Sequence, residues 1–339
     1  MVRSNPTVRK VADYAGVSIA TVSRVTRRPD LVATSTRERV ERAISELGYR
    51  PSHFGQALVD RKHSALGVVF PGLSGPYYYD VIQGFETKAI AANLSVLILG
   101  THHVRNDEQV LDMATRVDGI AILGGTAKDE TVRTLARQGI PVALLAQHPV
   151  DRVPAVRVDN YAAMLDTTGH LLDAHGYEPI VFLGDPTNSP DLTDRWNGFV
   201  AAHHVRNRTP PAKPVKIGLN QQSGLRAAAF LLAGPNPPRA IVCANDETAL
   251  GAYAAAAAAG IRIPDDLALT GFDDIPMAGL VSPGLTTVAQ PMRKLGAKVA
   301  QILLAQIRGD PPGAPDVILS TRLLIRGSCG CRDGPEPSR

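Results

Sequence analysis

The sequence predicts an α/β protein, with a small all-helical unit first and then a larger part built from parallel sheets in two similar subdomains. Three observations lead there. Residues 7–26, TVRKVADYAGVSIATVSRVT, read as two short helices joined by a tight turn. Beyond Ala65, short apolar runs alternate with helical stretches. The charge is also divided: residues 1–62 carry 12 Lys and Arg against 6 Asp and Glu, and the remaining 277 carry 24 against 26.

The first helix places Val8, Val11, Ala12 and Ala15 at i, i+3, i+4 and i+7, one stripe of a 3.6-residue period. Thr7 stands at the N-cap, where a hydroxyl accepts from a free backbone N–H. Gly16 falls where the chain needs a left-handed residue to turn. Val17 anchors the turn and Ser18 caps the second helix. In that helix Val22 and Val25 face inward, while Ile19, Ala20, Ser23 and Arg24 face outward. A buried stripe behind an exposed face suits a helix that enters a DNA major groove. An ordinary amphipathic hairpin is the plain alternative.

Arg27-Arg28-Pro29-Asp30 then forms a charged turn. Ser35 with Glu38 three residues on reads as a capping box. Val40, Ile44 and Leu47 supply the apolar face of a third helix, and Gly48 ends it. Arg37, Arg39 and Arg42 are candidates for phosphate contact or for a solvated face. The basic surplus lies in this segment alone, as DNA binding through it requires. His53–Val59 is a helical stretch too short to be stable in isolation, and Asp60–Ser64 is a polar linker.

From Ala65 the runs LGVVF (66–70), LSVLIL (94–99), GIAIL (119–123), PVALL (141–145), PIVFL (179–183), AIVCA (240–244) and LALTG (267–271) read as buried strands. Helical stretches at 79–92, 106–116, 129–138, 160–175, 222–233 and 247–259 separate them. Buried strands alternating with helices imply parallel sheets. Their number exceeds one compact sheet, hence the two subdomains.

Several function classes are disfavoured. The composition is 44% hydrophobic and 5% aromatic. No run of 18 apolar residues spans a membrane, and Ala254–Ala259 is a helix of small residues. MVRSNPTVRK has no apolar core of a secretory signal. Cys243 lies in a strand-like run as a core residue. Cys329-Gly-Cys331 is too close-spaced for an easy disulfide, and no second pair completes a zinc site. His102-His103 and His203-His204 are adjacent pairs that point apart and read as surface residues. There is no Gly-x-Ser-x-Gly elbow, P-loop or Gly-x-Gly-x-x-Gly after a strand. No catalytic residue, metal or cofactor is expected.

TVRKVADYAGVSIATVSRVT followed by TRERVERAISELGYRPS closely resembles the headpiece of the LacI/GalR family of bacterial transcription regulators. VDGIAIL, VRVDNYAAMLDTTGHLLDAHGYEPIVFLGD, DRWNGF, ANDETALGAYAAAAAAGIRIPDDLALTGFDDIP and LTTVAQPMRKLGAKVAQILL resemble the same family, in the same order. The resemblance runs from Thr7 to about Cys331. It implies a helix-turn-helix headpiece (1–51), a hinge helix and linker (52–64) and a two-lobed, periplasmic-binding-protein-like effector and dimerisation domain (65–331). A disordered tail (332–339) would follow. The lobes would be joined by crossings near 158–161, 287–291 and 318–322. The implied protein is a cytoplasmic repressor that binds double-stranded operator DNA as a homodimer, in some relatives a tetramer. A small ligand would control it allosterically. A transporter's solute-binding protein shares the two-lobed fold and is the alternative; the headpiece argues against it.

The resemblance also implies roles. Ile19, Ala20 and Arg24 fall on base-reading positions, and Ser18, Thr21 and Ser23 on supporting positions that meet phosphates. Thr7 and Tyr49 fall on DNA-contacting positions, Tyr49 towards the backbone. Arg24 can fork onto guanine, whereas Ile19 and Ala20 would read shape or thymine methyls. In the hinge, Leu58 corresponds to the leucine that wedges the minor groove, beside Gln56. Gly55 replaces a more usual alanine and weakens the hinge helix. The ligand residues fall on Tyr77, Asp159, Arg195, Asn245, Asp273 and Gln290. Arg195 would donate, Asp273 would accept from paired hydroxyls, and Asp159 could couple the ligand to the lobe angle or be a plain turn residue. A stacking aromatic of several relatives corresponds to Leu219, which makes a planar purine less suitable. Trp196 could supply a ring or pack between helices. The Tyr77-Tyr78-Tyr79 cluster favours a sugar.

Overall fold

The computed structural model describes residues 6–49, 63–73, 75–102 and 104–332. Gly55, Gln56, Leu58, His103 and the tail from 333 onward lie outside them. The chain divides into two compact units, Met1–Ser64 and Ala65–Arg339.

Among the described residues the first unit contains the α-helices α1 (Val8–Ala15), α2 (Ile19–Arg27) and α3 (Thr34–Leu47). Val11, Ala12, Ala15, Val22, Val25, Val40 and Ala43 form its core, with Val17, Ile44, Leu47 and Tyr49 packed around them. The turn between α1 and α2 is closed by Gly16 at φ +61°, where a Cβ would be strained. The capping box at Ser35 does not form. The helix starts two residues earlier, at Thr34, its N-cap position is Ala33, and no side chain caps it. With Ser35 already inside the first turn, its hydroxyl is past the position that caps.

The second unit holds two lobes. In the first, a six-stranded sheet runs β2 (Ser95–Gly100), β1 (Ala65–Phe70), β3 (Gly119–Leu123), β4 (Val142–Leu145), β5 (Ala155–Val158) and β10 (Asp316–Leu319). Every pairing in it is parallel. Strand alternation sends residues to two cores. Leu66, Val68, Phe70, Ala121, Leu123, Ala143 and Leu145 meet helices α4 (Pro76–Ala91) and α11 (Met292–Arg308). Val69, Ile120, Ile122, Val142 and Leu144 meet α5 (Asp107–Ala114) and α6 (Asp129–Arg137).

The second lobe is centred on parallel strands β6 (Ile180–Leu183), β7 (Ala240–Cys243) and β8 (Ala268–Thr270). Helices α7 (Asn160–His175) and α8 (Pro190–His204) cover one face, around Ile180, Phe182, Ala240, Val242 and Ala268. The opposite face meets α9 (Gln221–Leu232) and α10 (Asp246–Ala258), around Leu183, Ile241, Cys243 and Leu269. Strands β9 (Thr287–Ala289) and β11 (Arg322–Leu324) pair antiparallel beside it.

Connectivity follows from these memberships. The chain leaves the first sheet after β5 and enters α7, returns between β9 and α11, and leaves again between β10 and β11. Asp159, Gln290-Pro291 and Ser320-Thr321 therefore lie at the passages between lobes. No helix among the described residues is long and apolar enough to cross a membrane.

Candidate DNA interface and ligand cleft

Helix α2 presents its outward edge to solvent. Ile19 is 43% exposed, and Ala20 and Arg24 are exposed beside it. No side-chain partner holds the Arg24 guanidinium among the described residues, so its fork is available to a base edge. The Ser18 hydroxyl accepts from the Thr21 N–H at 3.1 Å and shares a 2.9 Å hydrogen bond with the Thr21 hydroxyl. Thr7 caps α1 by accepting from the Lys10 N–H at 3.4 Å. Ser23 is half-buried, its carbonyl accepting from the Thr26 hydroxyl at 3.0 Å. Tyr49 packs partly against the three-helix core, with its N–H donating to the Ile44 carbonyl.

In the second unit a cavity opens between the lobes. Tyr77, Tyr78, Leu123, Gly124 and Ala146 line it from the first lobe. The second lobe supplies Ser189, Asp191, Leu192, Arg195, Leu219, Asn245, Glu247 and Asp273. Thus Tyr77, Arg195, Asn245 and Asp273, far apart in the chain, meet in one space.

Arg195 is buried and held on several sides. Its Nε donates to Asn160 Oδ1 at 2.8 Å and its Nη1 to the Ala244 carbonyl at 2.5 Å. The guanidinium carbon sits 3.7 Å over the Phe272 ring. Nη2 lies 3.9 Å from Asp273 Oδ1, a loose pair. The donors are therefore preorganised by their neighbours, with one edge directed towards Asp273.

Asp273 has φ +119°, a conformation that L side chains rarely adopt, beside Asp274 at +59°. Gln290 Nε2 donates to Asp273 Oδ1 at 2.6 Å. Burial pushes the Asp273 carboxyl up to about 7, against the pull of Arg195 and the Gln290 hydrogen bond. Beneath it, the buried Asp246 accepts from the Thr287 hydroxyl at 2.5 Å and the Ile275 N–H at 2.9 Å. Burial first, and the charge of Asp273 next, raise that carboxyl well above its usual range. Burial also raises Asp191 and Glu247. It pushes the Tyr77 hydroxyl well up and the Tyr78 hydroxyl up to about 12, which keeps both as donors. The result is one cation among several carboxyl groups with phenolic donors opposite, a set suited to hydroxyl-rich ligands.

Asn245 both builds and lines the site. Its Oδ1 caps α10 by accepting from the Thr248 N–H and hydroxyl, and its Nδ2 donates to the Leu219 carbonyl at 3.4 Å. Gln290 stands behind Asp273, outside the cavity wall. Asp159 is not in the cavity. It is exposed and caps α7, accepting from the Ala162 N–H at 2.9 Å, so its carboxylate serves the helix end. Its neighbour Asn160 is the residue that reaches Arg195.

Other residues resolve as well. Trp196 stacks on Phe199 and meets Phe182 edge-on, packing between helix and sheet. Tyr79 is 63% exposed and does not line the cavity that Tyr77 and Tyr78 face. His203 is buried, with Nδ1 at 2.9 Å from the Phe199 carbonyl, contrary to the surface reading of that pair. Asp191, Glu247 and Asn160 escaped the sequence reading, although Asp191 lies one helical turn before Arg195 and Glu247 two residues after Asn245. No nearby pair in the sequence complements Cys329 and Cys331, but the fold brings His170 and His175 to them.

An exposed helix-turn-helix edge on one unit and a two-lobed cleft on the other define a ligand-responsive DNA-binding regulator. Residues 7–52 match the bacterial regulatory proteins of the lacI family, and residues 168–329 a periplasmic binding protein-like domain. The chain is 31% identical over 329 residues to the HTH-type transcriptional repressor CytR of Escherichia coli, covering 95% of this chain and 96% of the relative. The lac repressor dimer bound to operator and the anti-inducer ONPF superposes with a TM-score of 0.83 at 26% identity, covering 96% of this chain and 99% of that one. The complex of the transcriptional regulator CelR with cellobiose gives 0.70 at 26% identity, covering 95% and 99%. The chain belongs to the lacI family of bacterial regulatory proteins.

Proposed function

We propose that this regulator is a repressor whose operator affinity is set by a sugar bound between its lobes. The observation that carries the reading is the cleft's donor and acceptor set: Arg195 beside Asp273, with Tyr77 and Tyr78 opposite and Asn245 adjacent. Sugar hydroxyls pair with charged donors and carboxylates, and sugar rings pack on aromatic faces. CelR, which holds cellobiose, supports this ligand class. Leu219 in the cavity wall has no ring to stack on a planar base.

Two copies of the chain would place two α2 helices in successive major grooves, as dimeric helix-turn-helix proteins do. Arg24 reads guanine, Ile19 and Ala20 read shape or thymine methyls, and Ser18, Thr21, Ser23, Thr7 and Tyr49 position the helix on the backbone. Gln56 and Leu58 belong to a hinge whose leucine opens the minor groove at the operator centre. The working division is a headpiece to residue 51, a hinge at 52–64 and the effector domain beyond. The site of action is the cytoplasm, and the cleft binds its ligand without transforming it.

Ligand and operator are coupled by a population shift. A sugar that prefers one lobe angle changes the fraction of dimers able to dock both headpieces. Reciprocity then obliges operator to change sugar affinity by the same factor. A thermal-shift screen of mono- and disaccharides, nucleosides and organic acids on the 339-residue chain tests the ligand class. At least one sugar should raise the melting temperature and alter operator binding. A screen in which only nucleosides or organic acids do so would overturn the sugar reading.

A further inference from the structure

On the second lobe, away from the cleft wall, two histidines and two cysteines converge from segments more than 150 residues apart. His170 and His175 lie in the last turns of α7, and Cys329 and Cys331 follow β11 near the end of the described chain. One nitrogen or sulfur from each falls within 4.8 Å of all the others. His170 Nε2 is 3.4 Å from Cys329 Sγ and 3.6 Å from Cys331 Sγ, and His175 Nε2 is 3.3 Å from Cys331 Sγ. We propose that these four residues form a structural zinc site of Cys2His2 type.

The distances carry the argument. Zinc bonds of about 2.3 Å to sulfur and about 2.0 Å to nitrogen, directed to the corners of a tetrahedron, put ligand atoms about 3.3 to 3.8 Å apart. The three nitrogen–sulfur distances fall within that range. Two thiolates and two imidazoles are the soft and borderline donors that tetrahedral zinc takes, whereas calcium and magnesium need oxygen. Four protein ligands leave no open position, so the metal's role is structural.

The surroundings fit a built site. The ring of His175 stacks on Tyr177 with centroids 4.9 Å apart and planes 9° from parallel, and Arg239 lies 4.3 Å over the other partner of that stack, the Tyr177 ring. Gly330, between the cysteines, has φ +98°, and a Cβ there would come within 2.6 Å of the Tyr177 hydroxyl. A side chain at that position would strain the turn that points both sulfurs inward. Cys329 is buried, and Ser328 next to it donates to the Leu269 carbonyl at 2.6 Å, which seats the segment against β8.

Binding Zn2+ would displace two thiol protons, one of which Cys329 otherwise shares with the Arg326 carbonyl at 3.3 Å. Uptake would therefore weaken as pH falls. The metal would tie the end of α7 to the segment that follows β11, and so fix the chain beyond the last passage between lobes.

The test is metal analysis of the untagged 339-residue chain, purified under reducing conditions after growth with zinc. Elemental analysis should find one Zn2+ per protomer, released by a strong chelator with a fall in melting temperature. Cys331→Ser and His175→Gln should each lose the bound zinc, while the exposed-site control His204→Gln keeps it. Where a variant fails to fold, Co2+ added to the metal-free wild-type chain decides. Tetrahedral visible bands with thiolate charge transfer at one equivalent are expected. Zinc far below one equivalent together with the absence of those bands would overturn the proposal, as would zinc retained in full by both folded variants. None of these readouts depends on the cleft's ligand or on DNA.

Discussion

Asp273→Asn separates the cleft's function from its stability. The folded carboxyl sits at about 7 because burial opposes its charge, against an ordinary value of 3.8. A raised carboxyl holds its proton in the folded chain at pH values where the unfolded chain has released it. Its stabilising effect is therefore complete at low pH and is lost as pH rises from 3.8 through about 7. Each unit corresponds to about 1.4 kcal/mol, so the interval from about pH 5 to about pH 7 costs the wild type a few kcal/mol, on the order of 3. Asparagine has no charge to bury, tolerates positive φ and keeps an oxygen for the Gln290 amide to donate to. The measurement is urea unfolding of both proteins, without ligand, across this range. The asparagine variant should gain on the wild type by about 2 to 3 kcal/mol as pH rises, then hold a constant lead above the window. Relief of the neighbouring Asp246 enlarges the gain in the same direction. Parallel pH profiles for the two proteins would refute the claim that Asp273 is a strained, buried acid. Above about pH 7, where the wild-type carboxyl is charged, the same variant should bind sugar more weakly because it lacks the acceptor charge, so a more stable protein should be a less responsive one.

Two further perturbations address the DNA side. Arg24→Ala should weaken binding to a selected operator by roughly 5- to 150-fold per half-site, with much smaller loss on random DNA; equal losses on both in a gel-shift titration would remove its base-reading role. Leu58→Ala should reduce operator bending measured by energy transfer between end-labelled duplex ends, and an unchanged bend would dismiss the wedge.

The sequence read most clearly where local chemistry decides local structure. Thr7, Gly16 and Ser18 bracket two helices by capping and turn geometry alone, and all three do so in the structure. The seven apolar runs each became a strand, and six are largely buried, as continuous apolar sequence suits; β2, at the sheet edge, is a strand but not a buried one. Strands β5, β9, β10 and β11 were not legible in this way. They are three or four residues long, at edges or passages, and register with distant partners defines them. Ser35 misled because a capping box is a local pattern, and the chain from Pro29–Leu31 enters α3 one residue before it.

The cleft divides along the same line. Tyr77, Arg195, Asn245 and Asp273 were carried by family resemblance and meet in space. Asp159 did not, because its carboxylate caps α7, and the inward-facing group is the next residue, Asn160. Resemblance places a segment to within a residue, but the helix phase decides which side chain turns inward. The cluster of His170, His175, Cys329 and Cys331 lay beyond any spacing rule, since its halves come from opposite ends of one lobe's chain path.

The central claim is that ligand between the lobes and operator on the headpieces are thermodynamically linked through the cleft residues. Its most direct test is a paired titration of wild type and Arg195→Ala, with the sugar found by screening. Operator affinity is measured with and without sugar, and sugar affinity with and without operator. For the wild type, both affinities should change by the same factor. Arg195→Ala should bind operator as the wild type does and show no response to sugar. An intact response in Arg195→Ala, or unequal factors in the wild type, would contradict the account.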